Sequence, residues 1–318
     1  MIKSNILIDK SLFTYRLLGW LLINMLIAFL FNNFLNLAFN IPFASDLLTK
    51  NQSLSFIPLL IYLIAFCLSI IISYKNLKKP YSWDSILLHE FNLFFIRSCF
   101  WSVLLVGSID VVIAFMRVEE VNEILFNDDL VRALKKPSFV CTYIHIPLIL
   151  FGFIIGYFTK TLGFTWLALM IVCAELIIVI TRFVFSYEQS FMGDLVRYWY
   201  AALFLFASAY TLFEDGHVRV DVFYTNLKAK TKSIVNASGS IFLGISTCTA
   251  ILFVGLNGKQ SIINSPILNF EITQQGSVGM FVKYQLAAFL GIFAISMLIQ
   301  FVSYYYLSLS KMNDLKKN

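Results

Sequence analysis

Charged residues are scarce in this chain of 318 residues: Asp, Glu, Lys and Arg make up only 13% of it, whereas 59% is hydrophobic. A soluble domain carries roughly 25% charged residues. No soluble core of this length can hide so much apolar surface. The composition therefore excludes a soluble globular protein and predicts a chain that is surrounded mainly by lipid.

Cysteine, histidine and proline are also few. The five cysteines form no CxxC pair and lie in or beside apolar runs, which argues against a disulfide framework. The three histidines share no metal-ligand spacing with cysteines or carboxylates, so we expect no metal and no other cofactor. The six prolines form no paired helix breaks of the kind that build a transporter's substrate site.

The net charge of the chain is +6, and its basic residues cluster at the ends of apolar runs. This placement is typical of residues that set the orientation of helices in a membrane and contact anionic lipid. It does not favour nucleic acid as a partner. The first apolar run is long and has no convincing cleavage site, so we expect it to stay as a membrane anchor.

Long apolar runs dominate the rest of the sequence. A membrane-spanning helix needs about 20 mostly apolar residues, and alternating strands of a barrel would be about ten residues long. The pattern predicts an all-α integral membrane protein with about eight transmembrane helices, which are Leu17–Phe39, Ser55–Ser73, Leu93–Met116, Phe139–Thr159, Gly163–Phe185, Leu195–Phe213, Ala237–Leu256 and Met280–Leu307. More basic and less basic connections alternate along the chain, which predicts that both termini are cytoplasmic.

Ionisable residues inside apolar runs are candidates for function. Asp110 and Glu175 lie within predicted spans, and each has an arginine seven residues later, Arg117 and Arg182. Seven residues correspond to about 10 Å along a helix, so the carboxylate and the arginine of one helix are too far apart for a direct ion pair. Two alternatives stay open for each carboxylate: packing against groups of neighbouring helices, or an ion or proton pathway.

Polar residues also mark both ends of the sixth predicted span. Asp194 and Arg197 can pair at i,i+3 near its start. A negative charge such as that of Asp194 is favourable at a helix N-terminus. The densest polar segment, Glu214–Tyr224, follows its end. There, His217, Arg219 and Asp221 alternate with valines, so an extended segment places them on one side. The alternatives are a loop that fixes helix ends at the cytoplasmic surface, and a His–Asp acid/base pair with no evident nucleophile.

These residues resemble a known family, the small (DctQ-like) membrane subunit of TRAP transporters, the tripartite ATP-independent periplasmic transporters. The resemblance covers roughly Gly163–Leu307. Its features are a helix that ends in an Arg-aromatic pair, and an acidic residue that opens the next helix and is followed by Arg-Tyr. Further features are a His-Val-Arg-Val-Asp segment after that helix and a basic residue at the start of the last helix. In this sequence the corresponding residues are Arg182, Asp194, Arg197, Tyr198, His217, Arg219, Asp221 and Lys283. The family usually has Glu where Asp194 stands, and a Gly where Ala207 stands.

The resemblance implies a domain division and a function. Residues 161–318 would form the four-helix small permease domain, and residues 1–160 an N-terminal membrane extension of about four helices. The chain would be a scaffold subunit, not an enzyme, in a bacterial inner membrane. Its partners would be a large DctM-like permease subunit, a periplasmic DctP-like binding protein and membrane lipid, and the complex would import a small organic solute such as a carboxylate.

Two other functions remain alternatives. One is a stand-alone ion-coupled carrier that uses Asp110 and Glu175. The other is an integral membrane enzyme that uses Glu175 or the pair His217 and Asp221. An accessory subunit should co-purify with a larger membrane protein, whereas a carrier should transport unaided.

Overall fold

The computed structural model describes residues 2–44, 56–214, 224–272 and 278–317, and side chains are described from Leu12 to Leu315. Helices make up the regular structure throughout this part of the chain, with no strand among the described residues. Helices satisfy every backbone hydrogen bond within one segment, as the interior of a bilayer demands. The all-α prediction is confirmed.

Eleven helical elements, α1 to α11, follow one another in the described residues. In chain order they are α1 Ile2–Phe39, α2 Phe56–Lys75, α3 Tyr81–Val118, α4 Val121–Leu125, α5 Asp128–Leu134, α6 Pro137–Phe158, α7 Phe164–Val184, α8 Ser190–Phe213, α9 Ala229–Gly255, α10 Asn264–Leu268 and α11 Lys283–Lys317. Two of them contain a π-helical turn, Cys141–His145 in α6 and Ser240–Ile245 in α9.

Seven of these helices are long and apolar enough to cross a membrane, by length and composition, among the described residues. The eighth long helix, α8, is 24 residues long but mixes Tyr, Trp and Ser with its apolar residues. It occupies the place of the sixth predicted span. The prediction of about eight spanning helices is therefore confirmed.

Helices α3 and α11 extend well beyond the spans predicted from hydropathy, as does α1, which begins at Ile2 and not at Leu17. Helix α3 has 38 residues and begins at Tyr81, 12 residues before the predicted start at Leu93. Helix α11 has 35 residues and continues to Lys317. At 1.5 Å per residue both exceed 50 Å, roughly, against a hydrocarbon core of about 30 Å. Hydropathy marks the part of a helix that lies in lipid, not the end of its backbone hydrogen bonds.

The chain folds into two compact units, each built from separate stretches of sequence. Unit 1 consists of Met1–Glu90, His217–Gln260 and Met297–Asn318, and unit 2 consists of Phe91–Gly216 and Ser261–Ser296. The division at residue 160 that the sequence suggests remains a prediction.

A buried ion pair holds the core of unit 1 together. Arg16 Nε lies 2.8 Å from Asp84 Oδ2, and Trp20 Nε1 donates to Asp84 Oδ1 at 3.0 Å. The remaining guanidinium nitrogens donate to the carbonyls of Asn76 and Lys79 at 2.5 and 2.6 Å. A buried pair is stable when further hydrogen bonds satisfy its remaining donors and acceptors, as here.

Close helix approach organises unit 2. Gly152 and Gly156 of α6 face Ser102 and Ser98 of α3, so that small residues at i and i+4 meet from both sides. A Cβ on Gly152 would stand 2.6 Å from the Ser102 backbone, a distance that real side chains do not tolerate. Such small-residue contacts are the typical way in which helices associate in lipid.

Candidate functional site

Several of the polar residues buried in unit 2 lie at one end of its helices, around the start of α11. Asp110 comes from the last third of α3, His145 from the π-helical turn of α6, and Tyr284 from the first turn of α11. His145 Nε2 lies 3.3 Å from Asp110 Oδ1, and His145 Nδ1 lies 2.6 Å from the Tyr284 hydroxyl. Asp110 and His145 are both fully buried, so these groups form an internal network.

Two further side chains extend this network. Gln285 Nε2 contacts His145 Nδ1 at 3.1 Å and donates to the Tyr284 hydroxyl at 2.8 Å. The Tyr198 hydroxyl of α8 donates to Gln285 Oε1. Four helices of unit 2 thus contribute polar groups to one buried cluster, which we call the α11 entry network: Asp110, His145, Tyr198, Tyr284 and Gln285.

A short segment before α11 is held through its backbone. Asp110 Oδ2 accepts from the Phe281 N–H at 2.8 Å, and Asp194 Oδ2 accepts from the Met280 N–H at 3.1 Å. Arg117 Nη2 donates to the Gly279 carbonyl at 2.5 Å, and its guanidinium lies 3.9 Å from the centre of the Phe281 ring. Two carboxylates and one arginine thereby fix three successive residues at the beginning of the last helix.

This arrangement explains why charged groups are found in these apolar helices. A buried backbone N–H without a partner costs free energy comparable to a lost hydrogen bond, and Phe281 and Met280 precede the first turn of α11. Asp110 and Asp194 each supply a charged acceptor to such a group, and hydrogen bonds of this type are about twice as strong as neutral ones. Both carboxylates therefore stabilise the backbone just before the first turn of α11.

The structure changes the expected position of Asp194. The sequence places it at the N-terminus of its helix, but α8 begins at Ser190 and its first turn contains no acidic residue. Ser190 and Phe191 continue the helix before the apolar run starts, so Asp194 is its fifth residue. Arg197 does lie near Asp194, at 3.9 Å, but Arg197 is exposed and Asp194 is buried.

The other predicted residues of α7 and α11 lie outside this network. Lys283, the first residue of α11, pairs with Glu271 at 2.9 Å, and both side chains are partly exposed. Arg182 lies 3.8 Å from Glu188, again with both partly exposed. Glu175 is exposed in the middle of α7, and its carboxyl contacts the Tyr200 hydroxyl of α8.

The polar segment after α8 contains the remaining predicted residues. His217, Arg219 and Asp221 lie outside the described residues, between Glu214, which follows the end of α8, and Tyr224. Tyr224 itself accepts a hydrogen bond from Asn236 Nδ2 of α9 at 2.8 Å.

Sequence reasoning missed His145, Tyr284 and Gln285. It considered His145 only as a possible metal ligand, and no group of three or more metal-ligating side chains is found in the part of the chain that the structure describes. The available signal was simple: His145 stands inside an apolar run, like Asp110. An uncharged polar side chain in a span requires a partner for the same reason as a carboxylate does.

Together, the helices and the buried polar network define a multi-pass membrane protein in which Asp110, His145 and Asp194 contact polar groups of other elements. Comparison with known families then gives a more particular result. Residues 168–307 match the family described as tripartite ATP-independent periplasmic transporters, DctQ component. No curated protein and no solved structure matches the chain. The family resemblance inferred from the sequence is confirmed.

Proposed function

We propose that the chain is the small scaffold subunit of a TRAP-type secondary transporter in a bacterial inner membrane. It acts with a large DctM-like permease subunit and a periplasmic DctP-like binding protein, and the complex imports a small organic solute such as a carboxylate. The observation that carries this proposal is the family match over residues 168–307. The α11 entry network is consistent with it, because its hydrogen bonds link four helices of unit 2.

The proposed orientation follows from the distribution of basic residues, with both termini in the cytoplasm. Under this orientation the start of α11 and the α11 entry network lie at the periplasmic ends of their helices. The segment with His217, Arg219 and Asp221 then lies on the cytoplasmic side. It would hold the large subunit or lipid headgroups there, so Arg219→Ala should weaken subunit docking more than substrate affinity.

Helix α7 offers the surface that fits a large membrane partner best. It is a 21-residue helix in which only Leu167, Ile171 and Ala174 are buried. Glu175 is exposed midway along it, where a carboxylate facing lipid would be costly. Within the chain this carboxylate contacts the Tyr200 hydroxyl, and a partner helix that adds a base would lower the cost further.

Co-purification tests the proposal. The chain would be expressed with the large-permease and binding-protein genes of the same genome, and a tag on the small subunit would be used for purification. We expect the large permease to co-purify in a fixed stoichiometry, and solute uptake into liposomes to require both membrane subunits. Unaided, sodium-dependent uptake by this chain alone would contradict the scaffold role and support a carrier.

A matched pair of double variants tests the α7 surface. Val172→Trp with Leu176→Trp adds bulk at exposed i and i+4 positions of α7, and Leu60→Trp with Ile64→Trp does the same on α2. The α7 variant should lose most of the co-purified permease while keeping its own elution profile. If the α2 variant loses as much, or the α7 variant loses none, α7 is not the docking surface.

A further inference from the structure

Two adjacent cavities in unit 1, which together we call the crevice, lie between α1, α2 and α9, and Leu298 of α11 also lines one of them. The deeper cavity has a volume of about 280 Å³ and is lined by Leu22, Met25, Leu26, Phe29, Tyr62, Thr249, Leu252, Phe253 and Leu298. The second has a volume of about 180 Å³. Phe29, Tyr62 and Phe253 line both, so the two cavities lie next to each other along the helices.

The two ends of this crevice differ in chemistry. The deep end is lined almost entirely by aliphatic and aromatic side chains. The other end includes Asn32, Asn33 and Asn257, together with Pro58 in the first turn of α2. Asn257 follows the end of α9 at Gly255. The polar end therefore lies near the membrane surface, and the apolar end extends towards the middle of the helices.

Asn32 supplies a second observation that points to a ligand. Its side chain is only 5% exposed, and its Nδ2 donates to the Pro58 carbonyl at 3.3 Å. Its Oδ1 has no hydrogen-bond donor among the residues that the structure describes. A buried acceptor without a donor costs free energy, so a ligand that brings an N–H group to this place would be held there.

Charge near the polar end fits a phosphate. Lys259 stands two residues after Asn257, and its Nζ donates to Asn40 Oδ1 at 2.5 Å. A zwitterionic headgroup offers a phosphate to Lys259 and an ammonium to Asn32, while its acyl chain fills the apolar cavity.

We propose that this crevice is a binding site for one phospholipid with an amine headgroup, seated between α1, α2 and α9. The site does not depend on the transporter role, since its lining comes from this chain alone. Bulk lipid would fill the same space without selecting a headgroup. Headgroup selection is therefore the property that separates a site from ordinary solvation.

Native mass spectrometry of the purified full chain tests this site. The protein would be delipidated in detergent and incubated with equal amounts of palmitoyl-oleoyl phosphatidylethanolamine and the corresponding phosphatidylcholine, which has no N–H donor. We expect one phosphatidylethanolamine per chain, preferred about tenfold over phosphatidylcholine, in line with a charged hydrogen bond to a buried acceptor. Equal retention of the two lipids, or retention of neither, would overturn the proposal.

Two matched pairs of variants locate the effect. Thr249→Trp fills the deep cavity, whereas Thr247→Trp adds the same bulk to α9 outside its lining. Asn32→Leu removes the acceptor, whereas Asn24→Leu breaks a comparable hydrogen bond of α1, to Ser69 at 2.9 Å, away from both cavities.

The expected results differ within each pair. Thr249→Trp should lower retention of both lipids about tenfold, and Asn32→Leu should abolish the preference for phosphatidylethanolamine. Thr247→Trp and Asn24→Leu should behave like the unchanged protein. Gel filtration of each variant verifies that it is folded. If both members of a pair change binding equally, the crevice is not the site.

Discussion

At the scale of single residues, Asp110 shows why a carboxylate persists in an apolar helix. One oxygen faces His145 and the other accepts from the Phe281 backbone, over sequence separations of 35 and 171 residues. Both partners are buried with it. Loss of this side chain leaves an imidazole and a backbone N–H without their acceptor, and breaking a buried pair in this way is far more costly than never forming it.

Asp110→Ala should therefore destabilise the protein by about 1–3 kcal/mol for each buried donor that it leaves unsatisfied. The measurement is chemical unfolding in detergent micelles, with far-UV circular dichroism as the signal. Asp129→Ala is the matched control, because Asp129 pairs with Arg132 at 2.8 Å while both are exposed. The control should leave the unfolding midpoint unchanged. An Asp110 variant as stable as its control would show that the pair has no structural role.

The partners of these residues could be predicted from the sequence only in part. A charged residue in an apolar run indicates that a partner exists, and this reasoning selected Asp110 correctly as a residue to examine. The identity of that partner depends on helix packing. His145 lies in a π-helical turn, and no periodicity in Cys141–His145 predicts this turn. Exposed residues such as Arg197 matched the same sequence pattern without joining the network.

At the scale of elements, the contact between α3 and α6 depends on the absence of side chains. Gly152 and Gly156 lie against Ser102 and Ser98, and Ser102 Oγ donates to the Ile149 carbonyl at 3.1 Å. Arg97 also reaches across and donates to the Gly156 carbonyl at 2.7 Å. These interhelical hydrogen bonds form only because the two backbones approach closely.

Gly152→Ala should push α3 and α6 apart and cost about 1–3 kcal/mol, as overpacking does. The thermal unfolding midpoint in detergent is the measurement. Gly193→Ala in α8 is the control, since nothing lies within 4 Å of a Cβ at Gly193. Alanine favours a helix over glycine, so the control should be neutral or slightly stabilising. Equal effects of the two changes would contradict the close contact.

Helix ends were harder to predict than helices. The spans were recognisable because their apolar runs are long enough for a bilayer. The first part of α3 could not be recognised from the sequence, because Asp84, Ser85 and His89 interrupt the apolar pattern. Their side chains are buried against polar partners, such as Ser303 at 3.1 Å from Ser85 and Gln300 at 3.2 Å from His89. Hydropathy assigns such residues to water, whereas tertiary contacts hold them inside a helix pair.

At the scale of the whole molecule, unit 1 is assembled from three separate stretches of the chain. Arg16 accepts through its carbonyl from the Tyr306 hydroxyl at 2.7 Å, and Phe29 stacks with Phe253 at a centroid distance of 6.3 Å. The first helix thus packs against residues from α9 and from the end of α11. Residues 217–260 and 297–318 have part of their core supplied by the N-terminal helices.

A fragment of residues 161–318 should consequently accumulate poorly when it is expressed alone. Its α9 and α11 surfaces would lack Arg16 and Phe29, so more of it should be degraded or aggregated. Fluorescence-detected gel filtration of membrane extracts measures this, and co-expression of residues 1–160 as a separate chain should restore a symmetrical peak. A monodisperse fragment with the thermal stability of the full chain would show that the N-terminal helices are dispensable.

The family resemblance was predictable because one short motif lies in a recognisable helical context. The pattern from Arg182 to Asp221 pointed to the family that residues 168–307 match. The crevice with Asn32 and Thr249 was not predictable, because it depends on the space that remains between three helices after packing. Its lining residues are separated by more than 200 positions in the chain.

The π-helical turn Cys141–His145 has a consequence for how this chain can change over generations. A π turn contains one residue more than an α turn, and each residue rotates a helix by about 100°. Deleting a single residue there would restore a regular helix and turn Gly152 and Gly156 away from α3 by that angle. We therefore expect the length of this segment to be under stronger selection than the identity of its exposed residues, so that Tyr143 tolerates substitution while its deletion abolishes folding.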